Sequence, residues 1–253
     1  MLRFFGYLFL RYRRTWRGSF FVSVLNPVLF LVGIGAGLGH LVDRHAPAQL
    51  AGAGYAAFFA PGMLAAATMQ TAYLEASWSV TRAAFPGGAY QDAAPTPLDP
   101  EEVMSGHMLY VLFRVVSSSA AFVCVMAAAD LVSVARAAGV LAAATLTGVA
   151  FATPTAAWAV GVRVQRRTNT VFRMVIMPMY MFSGSFFALD QLPGPVRVAV
   201  EALPLAQGVE LCRSLALGTA GALATAGHAA YLCVLAGAGY VIARTTYRRR
   251  LHA

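Results

Sequence analysis

The chain has 253 residues, 59% of them apolar and only 11% charged, with 19 basic against 10 acidic side chains and a net charge of +9. Roughly 25% of residues are charged in an ordinary soluble domain, and a globule of this length needs more polar surface than these residues supply. The composition therefore points away from a soluble fold and toward an all-α membrane protein with several spans. Every basic residue is an arginine, so there is no P-loop, Schiff-base or kinase-type lysine in the chain. Cys124, Cys212 and Cys233 lie far apart in apolar surroundings and outline neither a disulfide framework nor a zinc site.

Residues 2–17 interleave Phe4, Phe5, Tyr7, Leu8, Phe9, Tyr12 and Trp16 with arginines. That pattern predicts a helix in the membrane interface, with rings at the headgroup boundary and guanidinium groups on anionic lipid. The plainer alternative is a basic flank that only sets topology. A bilayer core about 30 Å thick asks for roughly 20 apolar helical residues, and 19–38 is the first run to meet this. It lacks a small-residue cleavage site and is read as a retained span rather than a secretory signal. Gly33, Gly35, Gly37 and Gly39 make overlapping GxxxG pairs at its end, a pattern that allows close helix approach.

A second span covers 55–74 and is closed by Glu75. The segment 81–106 follows, with Arg82 against Asp92, Asp99, Glu101 and Glu102. Pro86-Gly87-Gly88 and Pro95-Thr96-Pro97 break any helix, leaving a short one over 89–94. Pro100 suits a first helical position, with Glu101 and Glu102 in the first turn. A short helix between two breakers is what a docking element for a soluble partner needs; a solvated loop is the alternative.

Spans three and four cover 107–129 and 137–162. Arg114 sits near the start of the third, close in height to Glu75, and the two are expected to pair and brace adjacent spans, against the reading of two separate headgroup contacts. A fifth span covers 171–189. Residues 190–227 are too apolar for a plain loop yet interrupted by Pro193, Gly194, Pro195, Pro204 and Gly208. They predict two half-length helices, 196–203 and 204–217, turning back as a re-entrant hairpin, which is tolerated at membrane depth only when buried in protein or lining water. Glu201 and Glu210 in it would face water or a partner; an ordinary extracellular cap is the alternative. Span six covers 226–243. Fourteen arginines fall on one side of this six-span arrangement and four on the other, which predicts both termini in the cytoplasm.

No HExxH, GxSxG or GxGxxG after a strand occurs, and the histidines are scattered. Phe21, Met69, Gln70, Tyr73, Tyr180 and Phe187 could line a path for amphipathic cargo, although such residues on helices equally serve packing. A secondary transporter driven by an ion gradient is the alternative function. It would call for ionisable groups at mid-span and an inverted repeat, and the sequence displays neither.

Several blocks carry a family likeness. Phe59-Ala60-Pro61-Gly62 opens span two, and Thr96-Pro97-Leu98-Asp99-Pro100 with Gly106-His107 follows the short helix. The strongest block holds Met181-Phe182-Ser183-Gly184-Ser185-Phe186-Phe187, Leu192-Pro193, Pro204-Leu205 and Arg213. Together they resemble the membrane subunit of ABC type-2 exporters, most of all the branch of daunorubicin-resistance permeases and the nodulation lipo-oligosaccharide export permease. Gln207 and Ala188 depart from that pattern. The resemblance implies a single six-span permease domain over 1–253 in the cell membrane, binding no nucleic acid and exporting a lipid-linked glycan, glycolipid or hydrophobic drug. It implies two ABC ATPase subunits that carry ATP and Mg, with no cofactor in this chain, and a second permease copy or paralogue. Residues 2–17 would be the connecting helix. Segment 81–106 would hold the coupling helix, with Ala89, Tyr90, Gln91, Asp92, Pro95, Thr96, Pro97, Leu98, Asp99, Glu101 and Glu102 meeting the ATPase. Segment 190–227 would be the outer gate, involving Phe186, Phe187, Pro193, Glu201, Pro204, Glu210 and Arg213.

Overall fold

The computed structural model describes residues 2–14, 28–29, 33, 54–93, 99–162, 164–186, 193–219 and 221–251. Every regular element among them is helical. Helix α1 covers residues 2–14, and α2 is Tyr55–Leu74. A π-helical turn, Glu75–Ser79, joins α2 to α3, Val80–Ala84. The backbone at both joints keeps right-handed helical angles, so 55–84 is one continuous rod. It ends at Phe85, which is extended (φ −71°, ψ 159°) as the residue before Pro86 must be. The short helix α4, Ala89–Ala93, follows where the sequence places it, residue 94 lying outside the described residues.

The third predicted span is longer than the sequence reading placed it. Helix α5 runs Pro100–Ala128, with Pro100 in its first turn and Glu101 and Glu102 beside it, so the end of segment 81–106 and the third expected span share one helix axis. Helix α6 is Val134–Ala159. The helix in the place of the fifth expected span also begins earlier than expected. A rod built from α7, Arg166–Val171, a second π-helical turn, Phe172–Ile176, and α8, Met177–Phe182, gives way to bends at 183–186. Helix α9, Gly194–Glu201, starts two residues before the expected point and places Pro195 in its first turn. Helix α10 is Pro204–Leu217, matching the predicted bounds, and α11 is Ala222–Leu251.

Among the described residues, α5, α6 and α11 through Arg250 are long and apolar enough to cross a membrane. The rod 55–84 and the broken rod 166–182 occupy the places of the second and fifth expected spans. The first expected span, 19–38, lies largely outside the described residues, as do Phe21, Pro95, Thr96, Pro97, Leu98 and Phe187 and the side chain of Asp92.

Helix α6 is the hub of the bundle and packs on α11, α2, α10 and α5. Between α6 and α11 contact is close enough that a Cβ on Gly239 would come within 2.6 Å of Pro154 Cδ. Small residues let membrane helices approach closely where lipid supplies no hydrophobic drive between them. At the same point Thr153 Oγ1 donates to Ala236 O of α11 at 3.0 Å, bonding the two helices beside the proline.

Candidate functional site

Two polar constellations stand at opposite ends of the rod 55–84. The first gathers round α4. The turn before it is closed by Gly88 N donating to Phe85 O (2.8 Å) and by Gly87 N donating to the Gln91 side-chain oxygen (2.7 Å). Gln91 is thus engaged in holding the turn. Ala89 and Tyr90 face inward, at 8% and 3% exposure.

Tyr90 is the centre of a buried chain of hydrogen bonds. Its hydroxyl lies 2.7 Å from His107 Nδ1 and 2.9 Å from the Tyr247 hydroxyl. His107 Nε2 lies 2.6 Å from Ser79 Oγ, and that hydroxyl donates to Glu75 O at 2.6 Å. The last bond fixes all the others. Ser79 has given its proton away and accepts from Nε2–H, so Nδ1 is the acceptor nitrogen. Tyr90 then donates to Nδ1 and accepts from Tyr247. Burial pushes the Tyr90 phenol well above its usual range, so it keeps the proton this order requires. The Phe4 ring closes the cluster, 5.9 Å from Tyr90 and 6.2 Å from His107. Five segments therefore meet here: α1, the first π-helical turn, α4, α5 and α11.

Ion pairs frame the same corner. Arg114 Nε donates to Glu75 Oε1 at 2.8 Å, joining the rod to α5, and its guanidinium lies 4.6 Å from the centre of the Tyr12 ring. Glu101 bonds Arg244 (2.9 Å) and Arg248 (3.3 Å), fastening the start of α5 to the last turns of α11. Asp99 is exposed, and its carbonyl accepts from Glu102 N and Val103 N to open α5.

The second constellation centres on Arg213, 5% exposed on α10. Its Nη1 donates to Glu210 Oε1 (2.7 Å), Nη2 to Gly184 O (2.7 Å) and Nε to Phe58 O (3.3 Å), while the guanidinium stacks 3.8 Å over the Phe58 ring. One side chain thereby ties α10, the bend after α8 and the start of α2. A Cβ on Gly62 would fall 3.0 Å from Ser185 O and 3.1 Å from Arg213 Nη2, which leaves glycine the residue that fits. Phe186 joins this layer, 5.6 Å from the Phe59 ring and 5.3 Å from that of Tyr180, and its carbonyl accepts from the Tyr55 hydroxyl at 3.1 Å.

Glu201 pairs with Arg197 at 2.6 Å, half-exposed on α9 and away from Arg213. Pro193 precedes α9 and Pro204 opens α10. Met69 is fully buried and Tyr73 nearly so, with the Tyr73 hydroxyl donating to Thr168 O at 2.7 Å, so both are core residues; Gln70 is half-buried. Tyr180 donates to Met63 Sδ at 3.3 Å. The sequence reading singled out neither Tyr247 nor Ser79 and gave His107 no role beyond the family pattern. His107 stands as a polar residue in a mostly apolar helical stretch, whereas Ser79 and Tyr247 sit among polar neighbours and carry no such signal.

The ABC-2 type transporter family model matches residues 5–217. The chain is also 26% identical over 250 residues to nodulation protein J of Rhizobium leguminosarum bv. viciae, covering 94% of this chain and 91% of that protein. It is 26% identical over 246 residues to nodulation protein J of Rhizobium meliloti strain 1021 (96% and 90%). With nodulation protein J of Sinorhizobium fredii it shares 28% over 244 residues (94% and 90%).

Proposed function

Because this chain belongs to the ABC-2 type transporter family, we propose that it is the membrane permease subunit of an ATP-driven exporter. It works with two copies of an ABC ATPase subunit, on which ATP and Mg act, and with a second permease copy or paralogue. Six spans, those read from the sequence, cross the cell membrane with both termini in the cytoplasm. The cargo is amphipathic, a lipid-linked glycan, glycolipid or hydrophobic drug moved outward.

The observation that carries this reading is the attachment of α4. A short helix that is only a surface loop would have no reason to send a buried tyrosine into hydrogen bonds with two long helices. A short helix that must receive force does. Displacement of α4 passes through Tyr90 and His107 into α5, through Tyr247 into α11, and through Ser79 into the rod 55–84. The rod then reaches the Arg213 layer, about 30 Å away at 1.5 Å per residue between Ser79 and Phe58. Arg213 joins that far end to the hairpin helix α10 and to the bend after α8. Closure of the ATPase pair around nucleotide would thus be felt at the outer hairpin with no flexible link between.

The test is co-purification of the tagged chain with a Walker-motif ATPase encoded beside it, followed by cargo efflux from vesicles. Vanadate-sensitive efflux, and loss of ATPase association on deletion of residues 89–100, are the expected results. Efflux that follows a proton gradient and persists without any ATPase would overturn the proposal, as would a deletion variant that still binds the ATPase.

A further inference from the structure

A cavity of about 730 Å³ opens between α1, the rod 55–84, the turn at 85–88 and α5, beside the buried corner. Two arginines stand in its wall, Arg11 on α1 and Arg82 on α3, both exposed. Neither makes an ion pair among the described residues. Glu75, an acidic residue in the same wall, is taken by Arg114 at 2.8 Å and cannot neutralise them. Apolar and aromatic side chains share the mouth: Leu74, Trp78 and Tyr7 are 41%, 37% and 48% exposed.

Two uncompensated guanidinium groups in one concave wall select an anion, and a fork of N–H donors matches phosphate oxygens in particular. A free anion would gain nothing from Leu74, Trp78 and Tyr7. A phosphate with a hydrocarbon body attached would use both halves of the wall, the rings sitting at the depth where headgroup meets chain. Tyr12 rests against Tyr110 and Phe113 of α5 and under Arg114, so α1 lies flush on a membrane-length helix and brings Arg11 to the bilayer surface. The size falls within the range of preformed small-ligand sites.

We propose that this cavity binds the phosphodiester headgroup of an anionic lipid from the leaflet in which α1 lies, with Arg11 and Arg82 holding the phosphate and Leu74 and Trp78 the start of the acyl chains. A lipid seated there fills the gap between α1 and the α3–α4 turn and props the turn that carries the short helix. The inference needs only that the chain is embedded in a membrane and does not depend on the export reading.

The experiment uses the full chain in nanodiscs of phosphatidylcholine with a minor share of phosphatidylglycerol, released and weighed by native mass spectrometry. The wild type is expected to retain phosphatidylglycerol in preference to phosphatidylcholine. Arg11→Gln and Arg82→Gln should each cut that preference about fivefold, and the double variant should abolish it. The comparison variant Arg249→Gln/Arg250→Gln removes two exposed arginines at the end of α11, outside the cavity, and should leave the preference unchanged. An equal fall in both double variants would reduce the effect to general charge attraction and overturn the site. Displacement of phosphatidylglycerol by millimolar inorganic phosphate would assign the cavity to a free anion and overturn the lipid. Retention of phosphatidylglycerol by Arg11→Gln/Arg82→Gln at the wild-type level would do the same.

Discussion

The buried chain through Tyr90 makes a prediction whose sign is counter-intuitive. Tyr90→Phe removes one oxygen and strands two buried groups: the Tyr247 hydroxyl loses its acceptor and His107 Nδ1 loses its donor. A buried polar group left without a partner costs about 1–3 kcal/mol, so the single substitution should destabilise the chain by about 2–6 kcal/mol. Tyr247→Phe takes away only a donor to an oxygen that still gives its own proton to His107, worth about 0.5–1.5 kcal/mol. In Tyr90→Phe/Tyr247→Phe the second hydroxyl is no longer there to be stranded, and only Nδ1 remains unmet. The double variant should therefore be more stable than Tyr90→Phe alone, by about 1–3 kcal/mol. Reversible unfolding in mixed detergent micelles, followed by loss of helical circular dichroism, measures all three. Additive single costs, or a double variant weaker than Tyr90→Phe, would refute the bond order derived from Ser79.

The Glu75–Arg114 pair and the Arg213 staple give two further tests by the same unfolding measurement. Glu75→Gln should cost about 1.5–3 kcal/mol, since the pair is mostly screened from water, and Glu75→Arg with Arg114→Glu should recover part of that loss but not the Tyr12 stacking; no recovery at all would show the charges act separately. Arg213→Met should cost about 3–5 kcal/mol, and Arg213→Lys should recover little, because one ammonium cannot serve Glu210, Gly184 and Phe58 in a planar fork; a lysine variant as stable as the wild type would contradict the staple.

Punctuation was the readable part of this sequence. Proline and glycine act through local backbone geometry, so Pro86-Gly87-Gly88 marked the start of α4 and Pro204 that of α10 without reference to anything distant. Errors arose where charge was taken to mean loop. Arg166 and Arg167 fall between the fourth and fifth expected spans, yet they open the rod 166–182, in which Thr168 is buried and its carbonyl accepts from Tyr73. Likewise Glu101 and Glu102 do not separate a docking segment from a span: α5 starts at Pro100 and runs on. The pairing of Glu75 with Arg114 followed from their heights along neighbouring spans. The meeting of Tyr90, His107 and Tyr247 did not, because it joins positions whose separation along the chain carries no periodic trace. Arg213 stood out by its place in the family pattern, whereas its carbonyl partners, being backbone atoms, have no sequence signature.

One feature of the corner bears on biogenesis. Phe4, from the first described helix, and Tyr247, near the end of the last, both complete the surroundings of Tyr90. During synthesis α4 emerges early, but Tyr90 meets its partner on α11 only after that helix has been made and has packed. Until then α4 is held to the bundle by one bond fewer, and a chain cut short before Tyr247 would carry an unfinished corner.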